Sequence, residues 1–144
     1  MEPVAAYKWL NGLPVADAER EARVIVASKR AAAGAGLDPQ TIEPFIRRQM
    51  EIAKAVQYAL IDGWEQKLRP VPITAPDLAN VTRPAIIAAT SDILIQLERV
   101  LPMLRDPRTQ AVLVGDLTDR AAGYGLRASD FRRLIDAAAS VDFD

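Results

Sequence analysis

Residues 38–64 read DPQTIEPFIRRQMEIAKAVQYALIDGW, and this stretch decides the fold. Asp38 is a strong helix N-cap, and Pro39 suits a first helical position because its missing N–H has no partner there anyway. From that start Ile42, Phe45, Ile46, Met50, Ala53, Val56, Leu60, Ile61 and Trp64 follow at helical spacing, three and four apart. One long amphipathic helix results, with an apolar face that needs other helices to cover it. Pro44 falls within its early turns, where a local distortion is expected.

Working outward, the flanks are helical too. A first short segment runs through Val4–Leu10 and stops at Asn11-Gly12-Leu13-Pro14, a strong breaker cluster. A second begins near Asp17 and ends at Gly34-Ala35-Gly36, where glycine suits a C-cap. After the long helix, Pro70, Pro72 and Pro76 make residues 67–76 an extended linker. A fourth helix starts around Arg83-Pro84 and carries Ile86, Ile87, Leu94, Leu97 and Leu101. Pro102 and Pro107 are expected to end it, and shorter helices follow near Thr109–Ala122 and Ser129–Ala139. No useful stretch alternates apolar and polar residues. The expectation is an all-α bundle of about six helices in one domain over residues 1–144, the linker separating a three-helix part from the C-terminal helices.

Half of the 144 residues are apolar, enough for a real core. Eighteen basic residues oppose nineteen acidic ones, interspersed, so no nucleic-acid footprint is expected; a small anion needs only a few converging cations. The chain has no histidine and no cysteine. A thiol nucleophile, a Cys/His metal site and a Ser-His-Asp triad are therefore excluded within it. No run approaches 18 consecutive apolar residues, so no membrane span is expected. Met1–Lys8 has neither a basic nor an apolar leader region.

A few polar residues sit where a core helix should be apolar. Gln57 lies between Val56 and Leu60, with Gln49 eight residues earlier on the same side. A buried amide must be hydrogen-bonded or costs about 1–3 kcal/mol, so Gln57 is either a core glutamine bridging two helices or a donor into a cavity. Asp17, Arg20, Glu21 and Val24 share one face of the second helix. They read either as dipole chemistry with a local ion pair or as part of a site. Lys8, between Tyr7 and Trp9, snorkels to water or points inward. Arg83 opens its helix where the dipole disfavours a cation, which hints at another purpose. Together these residues describe a cationic cavity suited to a small dianion.

The order and spacing of these residues resemble the AroQ-type chorismate mutases. Pro3-Val4-Ala5-Ala6-Tyr7-Lys8-Trp9, Leu13-Pro14-Val15-Ala16-Asp17 and Arg20-Glu21 look like that family's signature. Gln49-Met50-Glu51-Ile52-Ala53-Lys54-Ala55-Val56-Gln57-Tyr58 looks like its third-helix motif. The match runs from Met1 to about Gln66 and continues more loosely to Asp77-Leu78 and Arg83. The chain continues past the length of the intracellular, three-helix members, which favours the exported subclass, whose members supply an arginine from within the same chain; Arg83 is the candidate here.

The resemblance implies an isomerase that converts chorismate to prephenate, on the phenylalanine and tyrosine branch of aromatic amino acid biosynthesis, without cofactor or metal. Arg20 and Arg83 would clamp carboxylates. Lys8 and Gln57 would donate to the ether oxygen. Asp17 and Glu21 would address the ring hydroxyl. Ala53 stands where relatives have Ser or Thr, so a side-chain contact is lost. A further family arginine, about three helical turns before the lysine, would fall upstream of Met1; either the native chain starts earlier or one clamp is lacking. The alternative is an impaired or inactive homologue that binds a small dicarboxylate. A homodimer, and a periplasmic or secreted location, are expected by subclass; the location is cytoplasmic if Met1 is the true start.

Overall fold

The computed structural model describes residues 1–143 as six α-helices: α1 (Glu2–Leu10), α2 (Ala18–Gly34), α3 (Pro39–Glu65), α4 (Arg83–Leu104), α5 (Pro107–Arg120) and α6 (Ala128–Ala139). Aspartates start three of them. Asp17 Oδ1 accepts from the Arg20 backbone N–H at 2.9 Å, Asp38 Oδ1 from that of Gln40 at 2.8 Å, and Asp106 Oδ2 from that of Thr109 at 2.8 Å. Each satisfies an N–H that the helix itself leaves without a partner. Residues 67–76 contain no helix, as their prolines require.

Helix α3 runs through Pro44, which lies inside it as expected, because a proline near the N-terminus removes only one ladder bond. Two boundaries differ from the sequence reading. Pro102 does not end α4 but lies within its last turn. The helical path before α4 begins earlier than expected, as a π-helical turn over Leu78–Thr82 capped by Asp77, which accepts from the N–H groups of Ala79 and Asn80. That turn buries Leu78 and sets the position of Arg83. Of the apolar residues that α4 carries, Ile86 and Ile87 are exposed, while Leu94, Leu97 and Leu101 reach the core.

The stretch Leu78–Leu104 has a mean hydropathy of 1.2 in its most apolar window, sufficient by length and composition to cross a membrane. Ser91 and Asp92 interrupt the run without lowering its average enough, and a helix of a soluble bundle can pass the same test. In this fold the helix packs against α2, α5 and α6.

Two apolar clusters hold the bundle together, and α3 links them. Ile42, Phe45 and Ile46 join Ile25 of α2, Leu94, Leu97 and Leu101 of α4, and Ala138 of α6. At the other end of α3, Leu60 and Trp64 pack with Ala5 and Ala6 of α1. Trp9 and Trp64 meet there at 6.1 Å between ring centroids, tilted by 59°, an arrangement favoured by the ring quadrupoles. The tail is tied back: Asp38 N–H donates to the Asp142 carbonyl at 2.8 Å, and Arg105 donates to the carbonyls of Ala139 and Val141, each at 2.9 Å. Between the clusters, residues 50–57 of α3 belong to neither core, except that Val56 packs on the second and Met50 on the first. The gap is where the polar residues gather.

Candidate functional site

A cavity of about 190 Å³ opens at this gap, walled by α1, α2, α3 and the start of α4. Two matching stripes make its sides. On α2 they are Asp17, Arg20, Glu21 and Val24; on α3 they are Met50, Ala53, Lys54 and Gln57. Both run i, i+3, i+4, i+7, the spacing that stacks side chains on one helical face. Lys8 enters from α1 and Arg83 from the first residue of α4, delivered there by the π turn. All seven residues to which the resemblance gives a place in the site therefore line one cavity. Gln49 does not; it is half-buried beside it.

Three of the alternatives left open by the sequence are decided by geometry. Gln57 is buried at 5% exposure, yet it bridges no two helices through oxygen acceptors. Its Nε2 donates to Ala53 O of its own helix at 3.1 Å and faces Met1 Sδ at 3.9 Å, a weak acceptor; its Oε1 is buried without a partner among the described residues. Arg20 makes no local ion pair among the described residues. Asp17 spends one oxygen on capping the helix, and Glu21 turns instead to Lys54, 2.9 Å away on α3. Lys8 does not simply snorkel: its Nζ donates to the Val15 carbonyl at 2.7 Å, in the turn before α2.

Lys54 is the cavity residue that sequence reasoning missed. The signal was available, since Lys54 sits four residues after Met50 and three before Gln57 on the same face. It lay inside a motif read as a unit, and its partner Glu21 is 33 residues away in the chain.

The field in the cavity is cationic. Four cations, Lys8, Arg20, Lys54 and Arg83, face two carboxylates, Asp17 and Glu21. Burial lowers the pKa of Lys8 from the ordinary lysine value; Arg83 and Lys54 push the same way, while Asp17 and Glu21 oppose. Burial also lowers that of Arg20, with Arg83 and Arg23 adding their repulsion. Glu21 moves down from its ordinary value, chiefly through its hydrogen bond from Lys54. Arg20 and Arg83 form no ion pair among the described residues. Two guanidinium groups lining one cavity without an ion pair suit a bound anion with two negative charges. No group of His, Cys, Asp and Glu among the described residues is arranged to hold a metal ion.

Comparison with known proteins follows the same lines. The family described as chorismate mutase type II matches residues 1–58. The monofunctional chorismate mutase of Enterobacter agglomerans is 39% identical over 83 residues, 58% of this chain and 41% of that protein. The fold superposes on the crystal structure of the secreted chorismate mutase from Yersinia pestis with a TM-score of 0.80 at 25% identity, covering 99% of this chain and 90% of that one. The chorismate mutase from Burkholderia thailandensis gives 0.72 at 30% identity, covering 96% and 87%. The chain spans 38–58% of the length of the curated relatives it matches.

Proposed function

Since the chain belongs to the type II chorismate mutase family, we propose that it rearranges chorismate to prephenate in the cavity between α1, α2, α3 and α4. The observation that carries this reading is the meeting of Lys8, Arg20, Gln57 and Arg83, from four separate helices, in one cavity. The reaction breaks one C–O bond and forms one C–C bond within a single molecule, with no proton transferred. The absence of histidine and cysteine is therefore no handicap.

What the protein must supply is shape and charge. The substrate is a flexible dicarboxylate, and holding it in its reactive fold removes much of the barrier. Arg20 and Arg83 grip the carboxylates, for which the planar guanidinium fork is well shaped. Lys8 and Gln57 donate to the ether oxygen as negative charge grows on it; donors aimed at developing charge favour the transition state over the ground state. The second N–H of Gln57 faces only a thioether, so exchanging that contact for an ether oxygen costs little. Asp17 and Glu21 take the ring hydroxyl.

The test is direct: purified protein is given chorismate, and prephenate formation is followed. No consumption of chorismate refutes the proposal. Ala53 favours a second reading, a homologue that binds the dicarboxylate without turning it over, because the side-chain donor found there in relatives is missing. Calorimetry with a bicyclic transition-state mimic, run beside the turnover assay, separates the two.

Two finer points extend the proposal. The exposed apolar residues of α4, among them Ile87 and Ile95, support a homodimer. The naming of relatives as secreted chorismate mutases supports export to the periplasm or beyond.

A further inference from the structure

Lys54 has no role in the mechanism above, yet it lines the same cavity. Its Nζ lies 2.9 Å from Glu21 Oε2, and each side chain retains 28% of its exposure. An ammonium has three N–H donors. Glu21 takes one, and no other acceptor among the described residues takes a second.

A purely structural tie between α2 and α3 is not needed at this place. Lys29 and Glu43 already join the same two helices at 2.9 Å, away from the cavity. Moreover, Lys54 stands close enough to Lys8 to help lower its pKa, so the fold accepts like-charge repulsion here. A lysine on the outer face of α3 would avoid that cost. Asp17 and Glu21 offset this repulsion in part, and an entering anion would offset the rest.

The charge balance points the same way. Lys8, Arg20 and Arg83 exceed Asp17 and Glu21 by one positive charge, which leaves a dianion half compensated; Lys54 makes the excess two. Resting on the chorismate reading, we propose that Lys54 binds substrate directly, its ammonium shared between Glu21 and one carboxylate of the substrate. The arrangement also couples two recognition events. The carboxylate of Glu21 stays oriented toward the ring hydroxyl while the lysine beside it reaches the acid group.

Steady-state kinetics with chorismate at low ionic strength test this, on wild type and on K54Q, K54R, E21Q and the double variant E21Q/K54Q, with melting temperatures alongside. K54Q should raise KM about tenfold with kcat within about threefold, as expected for one charge-assisted hydrogen bond in a partly open site. K54R should recover most of the loss, and the melting temperature should hardly move. The decisive comparison is E21Q against E21Q/K54Q. A further rise in KM of about tenfold supports direct contact with substrate. No further rise means that Lys54 acts only through Glu21, and the proposal is overturned; so is it by an unchanged KM in K54Q, or by a loss confined to kcat and melting temperature. If wild type does not turn chorismate over, the functional reading fails by itself. Lys54 is then judged by calorimetry with the bicyclic dicarboxylate mimic, where K54Q weakening Kd about tenfold supports it and equal affinity or no wild-type binding overturns it.

Discussion

Lys8 Nζ is fixed by the carbonyl oxygen of Val15, 2.7 Å away across the turn from α1 to α2. A main-chain oxygen thus aims the ammonium, while burial lowers its pKa and Asp17 and Glu21 partly hold it up. As a donor to the ether oxygen, Lys8 works only when protonated. With the pKa lowered, kcat/KM should fall as pH rises, on a limb that begins below the ordinary lysine value of 10.5. K8R should shift that limb upward, since guanidinium keeps its proton there. K8A should cost about a hundredfold or more in kcat. A pH–rate profile of wild type and K8R checks this; identical alkaline limbs would rule out Lys8 as the titrating donor.

Gln57 permits a sharper pH experiment. It is neutral and buried, so it contributes no titration of its own, and wild-type activity should be nearly flat from about pH 5 to 8. In Gln57→Glu the side chain donates to the ether oxygen only while protonated. Desolvation in this position raises the pKa of the new acid. Its rate should therefore be highest at low pH and decline as the carboxyl ionises. A Gln57→Glu profile parallel to wild type would remove Gln57 from the ether oxygen.

The bundle was legible wherever one helix carries its own pattern. Helix α3 keeps its apolar spacing from Ile42 to Trp64, and Asp17 and Asp38 mark their own helices by capping them. Features that depend on a neighbour were not legible. Whether Ile86 and Ile87 face in or out depends on how α4 packs against its neighbours, and the π turn before it has no local periodicity to read. The site divides in the same way. Spacing put Asp17, Arg20 and Glu21 on one face, while the roles of Lys8, Gln57 and Arg83 came from family resemblance. Lys54 needed the register of α2 on α3, which only the fold supplies.

Arg20 and Arg83 offer a test of how the cations divide the work. Each lowers kcat/KM when removed, because a carboxylate loses a charged partner inside a partly desolvated cavity; about 2–5 kcal/mol is expected for R20A or R83A. Burial and Arg83 both lower the pKa of Arg20, so the free protein carries repulsion that R83A relieves. R83A should thus leave the melting temperature equal or slightly higher while activity collapses. Thermal melts and kinetics on the same samples decide it, and a large drop in melting temperature would make Arg83 a structural residue.

Glu21 adds an acid-side prediction that separates stability from catalysis. Its hydrogen bond from Lys54 holds its carboxyl below the usual 4.5. A carboxylate whose pKa is lowered by folding stabilises the fold above its unfolded value, and that contribution is lost as pH falls through the folded value. Wild type should therefore melt above E21Q at neutral pH, with the gap constant down to about 4.5 and closing below it. Glu43, held down by Lys29 and Arg47, has the same sign, so E43Q should show the same closing gap. The two differ in the assay. Glu43 lies outside the cavity, and E43Q should keep wild-type kcat and KM, whereas E21Q should be less active at every pH because it loses the charge opposite Lys54 and offers the ring hydroxyl a neutral amide oxygen in place of a carboxylate. Equal kinetics for E21Q and E43Q would reduce the Glu21–Lys54 pair to a strut between helices.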